Sequence, residues 1–486
     1  MNAYEPVIGL EIHIQLLTDS KIFCSCSTKF GAEPNSQVCP ICLGMPGVLP
    51  VLNRKVVEFA IKLALATDCK INKRSIFARK NYFYPDLPKG YQISQFEEPI
   101  CEFGKLEIEL DDGTKKTVHI HRIHMEEDAG KSMHAEAYVS ADETLVDVNR
   151  CGVPLLEIVS EPDIHSPKEA YAYLQRMRQI VRYLGICDGN MEEGSLRCDA
   201  NISMRPVGSK TLGVKTELKN MNSFHSVEKA LEFEIKRQTK ILQQGGKIEQ
   251  ESLLWDADRN VAEPMRSKEF SHDYRYFPEP DLVPVVVDQK WIDEIAASMP
   301  ELPVAKKERF VRDYNLPVYD ATLLTEDLAI ANYFEKVAQQ VKDKKMASNW
   351  VMGEVLRAVK ENRTDIDALK VTPDYLAEII HMIEDNTISG KIAKTVFDEV
   401  RKTGKKPADV VKEKGMQQIS DTSAIESVID QVLQDNPNEV QSYLAGKEKV
   451  IGFLIGQIMR ATSGKANPKT VNQLLRDKLS AMKTNG

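Results

Sequence analysis

No stretch of this 486-residue chain approaches the roughly 20 consecutive apolar residues that a membrane-spanning helix needs. The longest candidate, VIGFLIGQIM at 450–459, is too short. The opening residues MNAYEPVIGLEI lack the basic start and apolar stretch of a secretory leader, and they are not the Arg- and Ser-rich beginning of a transit peptide. The sequence therefore reads as a cytoplasmic protein with no membrane association. Cysteine occurs in an odd number, nine, and in a compartment that keeps thiols reduced a disulfide framework is not expected. Also missing is any Ser–Lys or Cys–His pairing that stands out as a nucleophile with its base. What is present, 28% charged and 42% hydrophobic residues, suits a globular protein, and the length suggests about three domains.

Four of the nine cysteines fall in CSCSTKFGAEPNSQVCPIC (24–42). Cys24 and Cys26 form one tight pair, Cys39 and Cys42 another, with twelve residues between them. Two short-spaced pairs across such a loop are the usual arrangement of a tetrahedral thiolate zinc site. Reduced bystander thiols, or redox chemistry at CPIC, are the other readings of the spacing, although no βαβ pattern leads into it. Four thiolates would close the coordination sphere, so a zinc here is a structural clip and the chemistry lies elsewhere.

Three stretches alternate apolar and polar residues with the period of a strand. In VIGLEIHIQL (7–16), Ile8, Leu10, Ile12, Ile14 and Leu16 form one face, with Glu11, His13 and Gln15 opposite. In SLRCDANISMR (195–205), Leu196, Cys198, Ala200, Ile202 and Met204 oppose Arg197, Asp199, Asn201, Ser203 and Arg205. VKTELK (214–219) puts Lys215, Glu217 and Lys219 on one side. The last two predict an antiparallel hairpin. The polar faces either look at water, as one side of an antiparallel sheet often does, or form a concave surface for a hard cation and a phosphate.

Between these strands, LEIEL and TVHIHRI flank a DDGT turn, a strong hairpin signal. The second strand runs into HMEEDAGKS, where Glu126, Glu127 and Asp128 form an acidic knot. The GKS of 130–132 imitates the end of a phosphate-binding loop, but that motif needs glycine where Met125 stands. With Mg²⁺ bridging, the same acids become useful to a bound phosphate. His119, His121, His124 and His134 crowd this region and are read as surface residues. RKNYFYPDLPKGYQISQ (79–95) is either a rigid connection or a loop that brings Lys80 and Lys89 to phosphates and its tyrosines to a base or ribose.

Helices are expected over 166–185, with Ser166 as N-cap, Pro167 in the first turn and Glu169 closing a capping box, and over 223–246, ending at a double glycine. Strands and helices without regular βαβ alternation indicate α+β. From Trp291 onward the chain reads as helix, with breaks at Pro303, Pro317, Pro373 and Gly390. The expected domains are 1–290 with an insert at 24–42, a helical region 291–406, and a small helical bundle 407–486. Residues 447–486 carry eight Lys and Arg against Glu448 and Asp477, a net of +6; with the whole chain at −8, the rest carries −14. A basic tail on an acidic body is either a solvated helix face or the footprint of a phosphate-backbone binder.

VIGLEIHIQL, FGAEPNS, PGVLPVLN, RKNYFYPDLPKGYQISQ, HMEEDAGKS, VPLLEIVSEPD, MEEGSLRCDANIS and DYRYFPEPDL, in this order over 7–284, together resemble the B-subunit family of the glutamyl/aspartyl-tRNA amidotransferases, and the helical tail resembles that family's tRNA-binding end. The resemblance implies an antiparallel-sheet catalytic domain similar to that of glutamine synthetase, holding ATP and Mg²⁺. It implies a heterotrimer with a glutaminase A subunit and a small C subunit. The implied reaction phosphorylates the side-chain carboxylate of Glu-tRNA(Gln) or Asp-tRNA(Asn), and ammonia arriving through an internal tunnel then displaces phosphate. Glu11, His13, Glu126, Glu127 and Glu217 are the implied Mg²⁺/ATP set. Asp128, Lys80 and Lys89 resemble residues near the tunnel mouth, with Arg197, Asp199 and Asn201 nearby. The four cysteines fit a structural Zn²⁺, and Lys465, Lys469 and Arg476 are the expected tRNA contacts in the tail.

Two other classes fit parts of the pattern. A zinc-ribbon adaptor that only positions tRNA has no reason to carry polar strand faces. An ATP-dependent ligase of free amino acids has no need of a basic tail.

Overall fold

The computed structural model describes residues 4–133, 143–265, 274–362, 364–416, 422–462 and 465–484. The chain divides into two units, Met1–Pro303 and Val304–Gly486.

The strands of the first unit are β1 (Tyr4–Gln15), β2 (Lys70–Ile71), β3 (Arg74–Ser75), β4 (Ala78–Asn81), β5 (Tyr91–Ser94), β6 (Cys101–Glu109), β7 (Lys115–Glu127), β8 (Lys131–Met133), β9 (Leu145–Asp147), β10 (Pro154–Ser160), β11 (Leu196–Pro206), β12 (Thr216–Lys219), β13 (Ser252–Asp256), β14 (Val261–Pro264), β15 (Phe277–Pro278) and β16 (Val285–Val286). Nine of them form one sheet in the order β14-β13-β12-β11-β1-β10-β7-β6-β2. All pairings in it are antiparallel except β12 with β13. The architecture is the α+β arrangement expected from strands and helices that lack a regular βαβ alternation.

The apolar faces behave as the period-2 pattern demands. Ile8, Leu10, Ile12 and Ile14 of β1 are essentially inaccessible, as are Leu196, Ala200 and Ile202 of β11. Burying each such branched side chain is worth about 1.5–3 kcal/mol. They share one core with the helices α1 (Arg54–Ala66), α2 (Pro167–Tyr183) and α3 (Phe224–Gln243). On α2 the predicted stripe Ala170, Tyr173, Leu174, Met177 and Val181 is buried. Its cap is Ser166, whose hydroxyl accepts from the Glu169 amide at 3.2 Å. The Glu169 carboxylate reaches back to the His165 amide at 2.7 Å, one residue beyond the cap itself. Gly185, with φ +63°, ends the helix where a side chain would be strained.

α4 (Gln289–Ala297) adds Ile295 to the same core, so the first unit extends past the 290 expected from sequence. The GKS segment opens the short strand β8 rather than a helix, consistent with its rejection as a phosphate loop. His134 lies outside the described residues.

The second unit is helical, and its helices begin where the breaks were read: Pro303–Tyr314, Val318–Leu324 after Pro317, Pro373–Glu384 and Gly390–Thr403. Among the described residues it holds two separate cores. One runs from Phe310 to Val411; the other joins Ile425, Ile429, Val432 and Leu433 to Leu454, Ile458, Val471, Leu475 and Leu479. Pro407, Val410 and Val411 are buried on the helix Pro407–Glu413, and the two valines belong to the first of these cores. The helices with the last core begin at Thr422, later than the 407 expected. No helix among the described residues is long and apolar enough to cross a membrane.

Candidate functional site

Antiparallel pairing converts alternation along each strand into rows across the sheet. On the face opposite the helices, His13 of β1 stands opposite Arg197 of β11 on one side and Glu157 of β10 on the other, and Glu157 stands opposite His124 of β7. Four ionisable residues from four strands thus lie in one line. In the next row Glu11 is opposite Asp199, and in the one beyond Asn201 is opposite Glu217.

The row is in close contact. His13 Nε2 lies 3.2 Å from Glu157 Oε2, and His124 Nε2 lies 3.3 Å from the same oxygen. Glu126, two residues beyond His124 on β7, brings Oε1 to 3.7 Å from His13 and receives the Ser94 hydroxyl at 3.2 Å. One donor atom from each of His13, Glu126 and Glu157 lies within 4.8 Å of the others, the spacing of ligands around one cation. Asn201 donates to Glu11 at 2.9 Å. Lys219 sits between Asp199 (2.8 Å) and Glu217 (2.9 Å), and Ser252 donates to the other Glu217 oxygen at 2.7 Å.

These contacts set the protonation states. Burial would raise the Glu157 carboxyl, but His124 and His13 on either side hold it well below the usual range. Burial would lower the His13 imidazole; the hydrogen bond and charge of Glu157, with Glu126 behind it, lift it instead to about 9. Glu11 is pushed up, by burial first and then by Glu157, Glu217 and Asp199. A face that crowds carboxylates until one resists ionising is relieved by a divalent cation, which would displace the His13 proton from the nitrogen it needs. The residues present therefore fit Mg²⁺: several hard carboxylate oxygens and one imidazole.

Lys80 borders the face, whereas Lys89 pairs with Glu127 away from it. Lys80 on β4 places Nζ 5.0 Å from the Tyr274 ring centre and 5.9 Å from Tyr82. Burial would depress its ammonium, yet the charges of Glu126 and Glu157 keep it above the ordinary range. Lys80 and Lys89 belong to a hairpin: β4 pairs β5 from Ala78 opposite Ser94 to Asn81 opposite Tyr91.

Glu11, His13, Glu126 and Glu217, expected as a set, do share this face. Glu127 does not. It accepts from Lys89 and from the Ile93 amide (2.8 Å), and with Lys89 it lines a cavity of about 230 Å³ shared with Cys24, Cys42, Met45 and Gly152. Consecutive strand residues point to opposite sides, so Glu126 and Glu127 cannot serve one cation together. Asp128 is buried and bound to Arg197 (2.8 Å) and Gln15 (2.9 Å), with Arg150 at 3.5 Å; burial would raise its carboxyl, but the two guanidiniums hold it below the usual range.

Sequence reasoning assigned no role to Glu157 or His124. His119 and His121 are exposed, as read, and pair with Asp163 and Glu161. His124 is 2% exposed and belongs to the site. The available signal was Glu157 itself, the only charged residue in the apolar run VPLLEIVS (153–160).

The four cysteines converge as their spacing predicts: one sulfur from each lies within 4.8 Å of the others. The Cys39 amide donates to Cys42 Sγ at 3.2 Å, and the buried Lys21 ammonium lies 3.6 Å from the same sulfur. Amide and ammonium donors aimed at sulfur suit thiolates, the form a zinc ion takes. In the tail, Lys469 and Arg476 are exposed and Lys465 half-buried on or beside the last helix, Pro468–Thr484, with Arg476 held to Asn472 at 2.9 Å.

Comparison with known proteins bears on both units. The family described as GatB/GatE catalytic domain matches residues 6–293, and that described as GatB domain matches 332–479. The aspartyl/glutamyl-tRNA(Asn/Gln) amidotransferase B subunit of Thermodesulfovibrio yellowstonii is 59% identical over 472 residues, 97% of this chain and 98% of the relative. The proteins of the same name from Geotalea daltonii and Geobacter sulfurreducens are 58% and 57% identical, each over 98% of this chain and 99% of the relative. With two family domains in order and full-length relatives well above half identical, the chain belongs to the family of aspartyl/glutamyl-tRNA(Asn/Gln) amidotransferase B subunits.

Proposed function

We propose that this protein carries out the ATP-dependent activation step of tRNA amidation. The side-chain carboxylate of Glu-tRNA(Gln) or Asp-tRNA(Asn) takes the γ-phosphoryl group, and ammonia from a glutaminase A subunit then displaces phosphate to leave the amide. The observation that carries this reading is the donor cluster of His13, Glu126 and Glu157 on a polar sheet face bordered by Glu11 and Glu217. An adaptor has no use for so many partly dehydrated like charges, which are expensive to keep and cluster where chemistry is done.

His13, Glu126 and Glu157 would hold Mg²⁺, with Glu11 and Glu217 placed for a second ion or its water ligands. When bound, Mg²⁺ neutralises charge on the transferring phosphoryl group. Lys80, kept charged beside Glu126, is placed to meet a phosphate oxygen or the substrate carboxylate. Arg197, locked by Asp128, presents a fixed guanidinium at the end of the ionic row. The Lys89–Glu127 pair lines the cavity through which we propose ammonia arrives, and Asp128, the next residue along, anchors Arg197. The catalytic domain takes in the first unit; the helices after Thr422 form the tail, in which Lys465, Lys469 and Arg476 contact the tRNA backbone. Cys24, Cys26, Cys39 and Cys42 hold a structural zinc, and a small C subunit completes a cytoplasmic heterotrimer.

The test is ATP cleavage by the purified heterotrimer with and without misacylated tRNA, for the wild type and Glu157→Gln. Mn²⁺ binding by electron paramagnetic resonance is read in parallel. Wild-type cleavage that depends on misacylated tRNA, lost with Mn²⁺ binding in the variant, is the expected result. Full amidation by Glu157→Gln would overturn the metal assignment, and tRNA-independent ATP cleavage would point to a free amino acid as the acceptor.

A further inference from the structure

We propose that Lys21 is the counter-charge of the four-cysteine cluster, a buried ammonium that ties its two halves together and makes it a site for a divalent metal rather than four neutral thiols. The inference rests on the reading of that cluster as a metal site.

Lys21 is wholly inaccessible to solvent. Among the described residues its ammonium has no carboxylate partner: Nζ donates to the Gln37 carbonyl at 2.7 Å and lies 3.6 Å from Cys42 Sγ. A buried cation with only a carbonyl and a sulfur beside it carries a large desolvation cost unless negative charge accompanies it. Of these two neighbours, only the sulfur can supply that charge, as thiolate. Zn²⁺ held by four thiolates carries two net negative charges, and the ammonium cancels one of them. Charge balance therefore runs in both directions: the metal-loaded cluster stabilises Lys21, and Lys21 stabilises the loaded cluster.

The placement is specific as well as electrostatic. The Lys21 amide donates to the Cys26 carbonyl at 3.0 Å, and Ser20 and Ser27 bridge just outside it, so its backbone is part of the loop bearing the first cysteine pair. Its side chain crosses to Gln37 and Cys42, on the loop bearing the second pair. One residue thus links the loop bearing CxC to the loop bearing CxxC. Gly152, with φ +80°, packs against both ends of this strap: a Cβ there would lie 3.5 Å from Cys42 Cβ and from Lys21 Cδ.

The experiment compares wild type, Lys21→Met and Lys21→Gln in the full chain, with zinc affinity from chelator competition and Tm before and after zinc removal. Methionine keeps the volume and removes the charge; glutamine keeps a donor for Gln37 without the charge. The expected result is zinc binding weakened about 10–100-fold in both variants, the effect typical of losing a partner of the metal's ligands. Stripped of zinc, Lys21→Met should be as stable as stripped wild type or more so, because a buried charge without its full balance has gone. Zinc should therefore raise the Tm of the variants less than that of the wild type. Equal zinc affinity in all three proteins would overturn the role of Lys21 while leaving the metal site standing. Failure of both variants to fold even with zinc would overturn it too, by showing a structural need independent of the metal. Wild type that binds no zinc under reducing conditions would remove the metal reading, and this inference with it.

Discussion

The sheet face of the first unit and the helical second unit place their ionisable residues in opposite ways. In the helices, buried charge is neutralised locally: Asp320 is met by Lys345 and Ser348, and Lys306 by Glu335. Exposed pairs such as Lys405–Glu413 and Lys414–Glu399 decorate the surface, and such pairs contribute little to stability. On the sheet, Glu11, Glu126, Glu157 and Glu217 crowd one surface, with His13, His124 and Lys219 as partial compensation. A region built for stability satisfies its charges. One that accumulates like charges under burial gives up stability locally, the pattern found where ligands are bound and chemistry is done.

The comparison breaks first if the crowded carboxylates are dispensable. Glu157→Ala should lower tRNA-dependent amidation by about 10²–10³-fold, the effect of losing one electrostatic stabiliser of a transition state, while the partner's glutaminase activity persists. Glu11→Ala and Glu217→Ala should follow in the same assay. Near-normal amidation by Glu157→Ala would make the sheet face no different in kind from the helices.

The helical unit should respond to packing alone. Phe397 is fully buried with its ring 6.0 Å from Trp350, and Phe397→Ala should destabilise that unit by about 3–5 kcal/mol. Denaturant unfolding would measure this, and Mn²⁺ binding should be unchanged. A parallel loss of metal affinity would mean that the site depends on the helices.

Neutralising Lys465, Lys469 and Arg476 to glutamine should weaken tRNA binding on the order of tenfold, and lower its salt slope by about one unit for each phosphate left without its cation. Saturating tRNA should restore most of the amidation rate, because the sheet face is untouched. Deleting residues from 422 onward should give the larger version of the same defect. Starting at 407 would also cut Val410 and Val411 out of a different core. An unchanged salt slope would assign tRNA binding to other surfaces.

The smallest effect expected is Ser166→Ala. It removes the hydroxyl that caps α2 and should destabilise the first unit by about 1 kcal/mol, seen as a Tm lower by about 2–4 °C with metal binding intact.

Much of the fold was legible because period and punctuation are local. Ile8, Leu10, Ile12 and Ile14 declare one face of β1 and Glu11, His13 and Gln15 the other. The DDGT turn places the β6–β7 hairpin, and Ser166 with Pro167 starts α2 where the structure does. The cysteine cluster was legible for a similar reason, since its four cysteines lie within nineteen residues of sequence.

The site was legible only in part. Sequence alone determined which side chains of each strand share a face, because alternation follows from backbone geometry whatever the strand's neighbours are. It could not determine which strands lie side by side. His13 and Glu157 are 144 residues apart, and only the insertion of β10 between β1 and β7 puts His13, Glu157 and His124 in one row. β10 itself hides its polar position, because a strand apolar on both faces shows no alternation to read. The same limit explains Glu126 and Glu127: adjacent in sequence they looked like one acidic knot, and the pleat sends them to different partners. Lys21 was invisible for a related reason. A single lysine outside the cysteine motif acquires meaning only when its ammonium is seen buried against Cys42 with no carboxylate beside it among the described residues, and burial is a property of the folded chain.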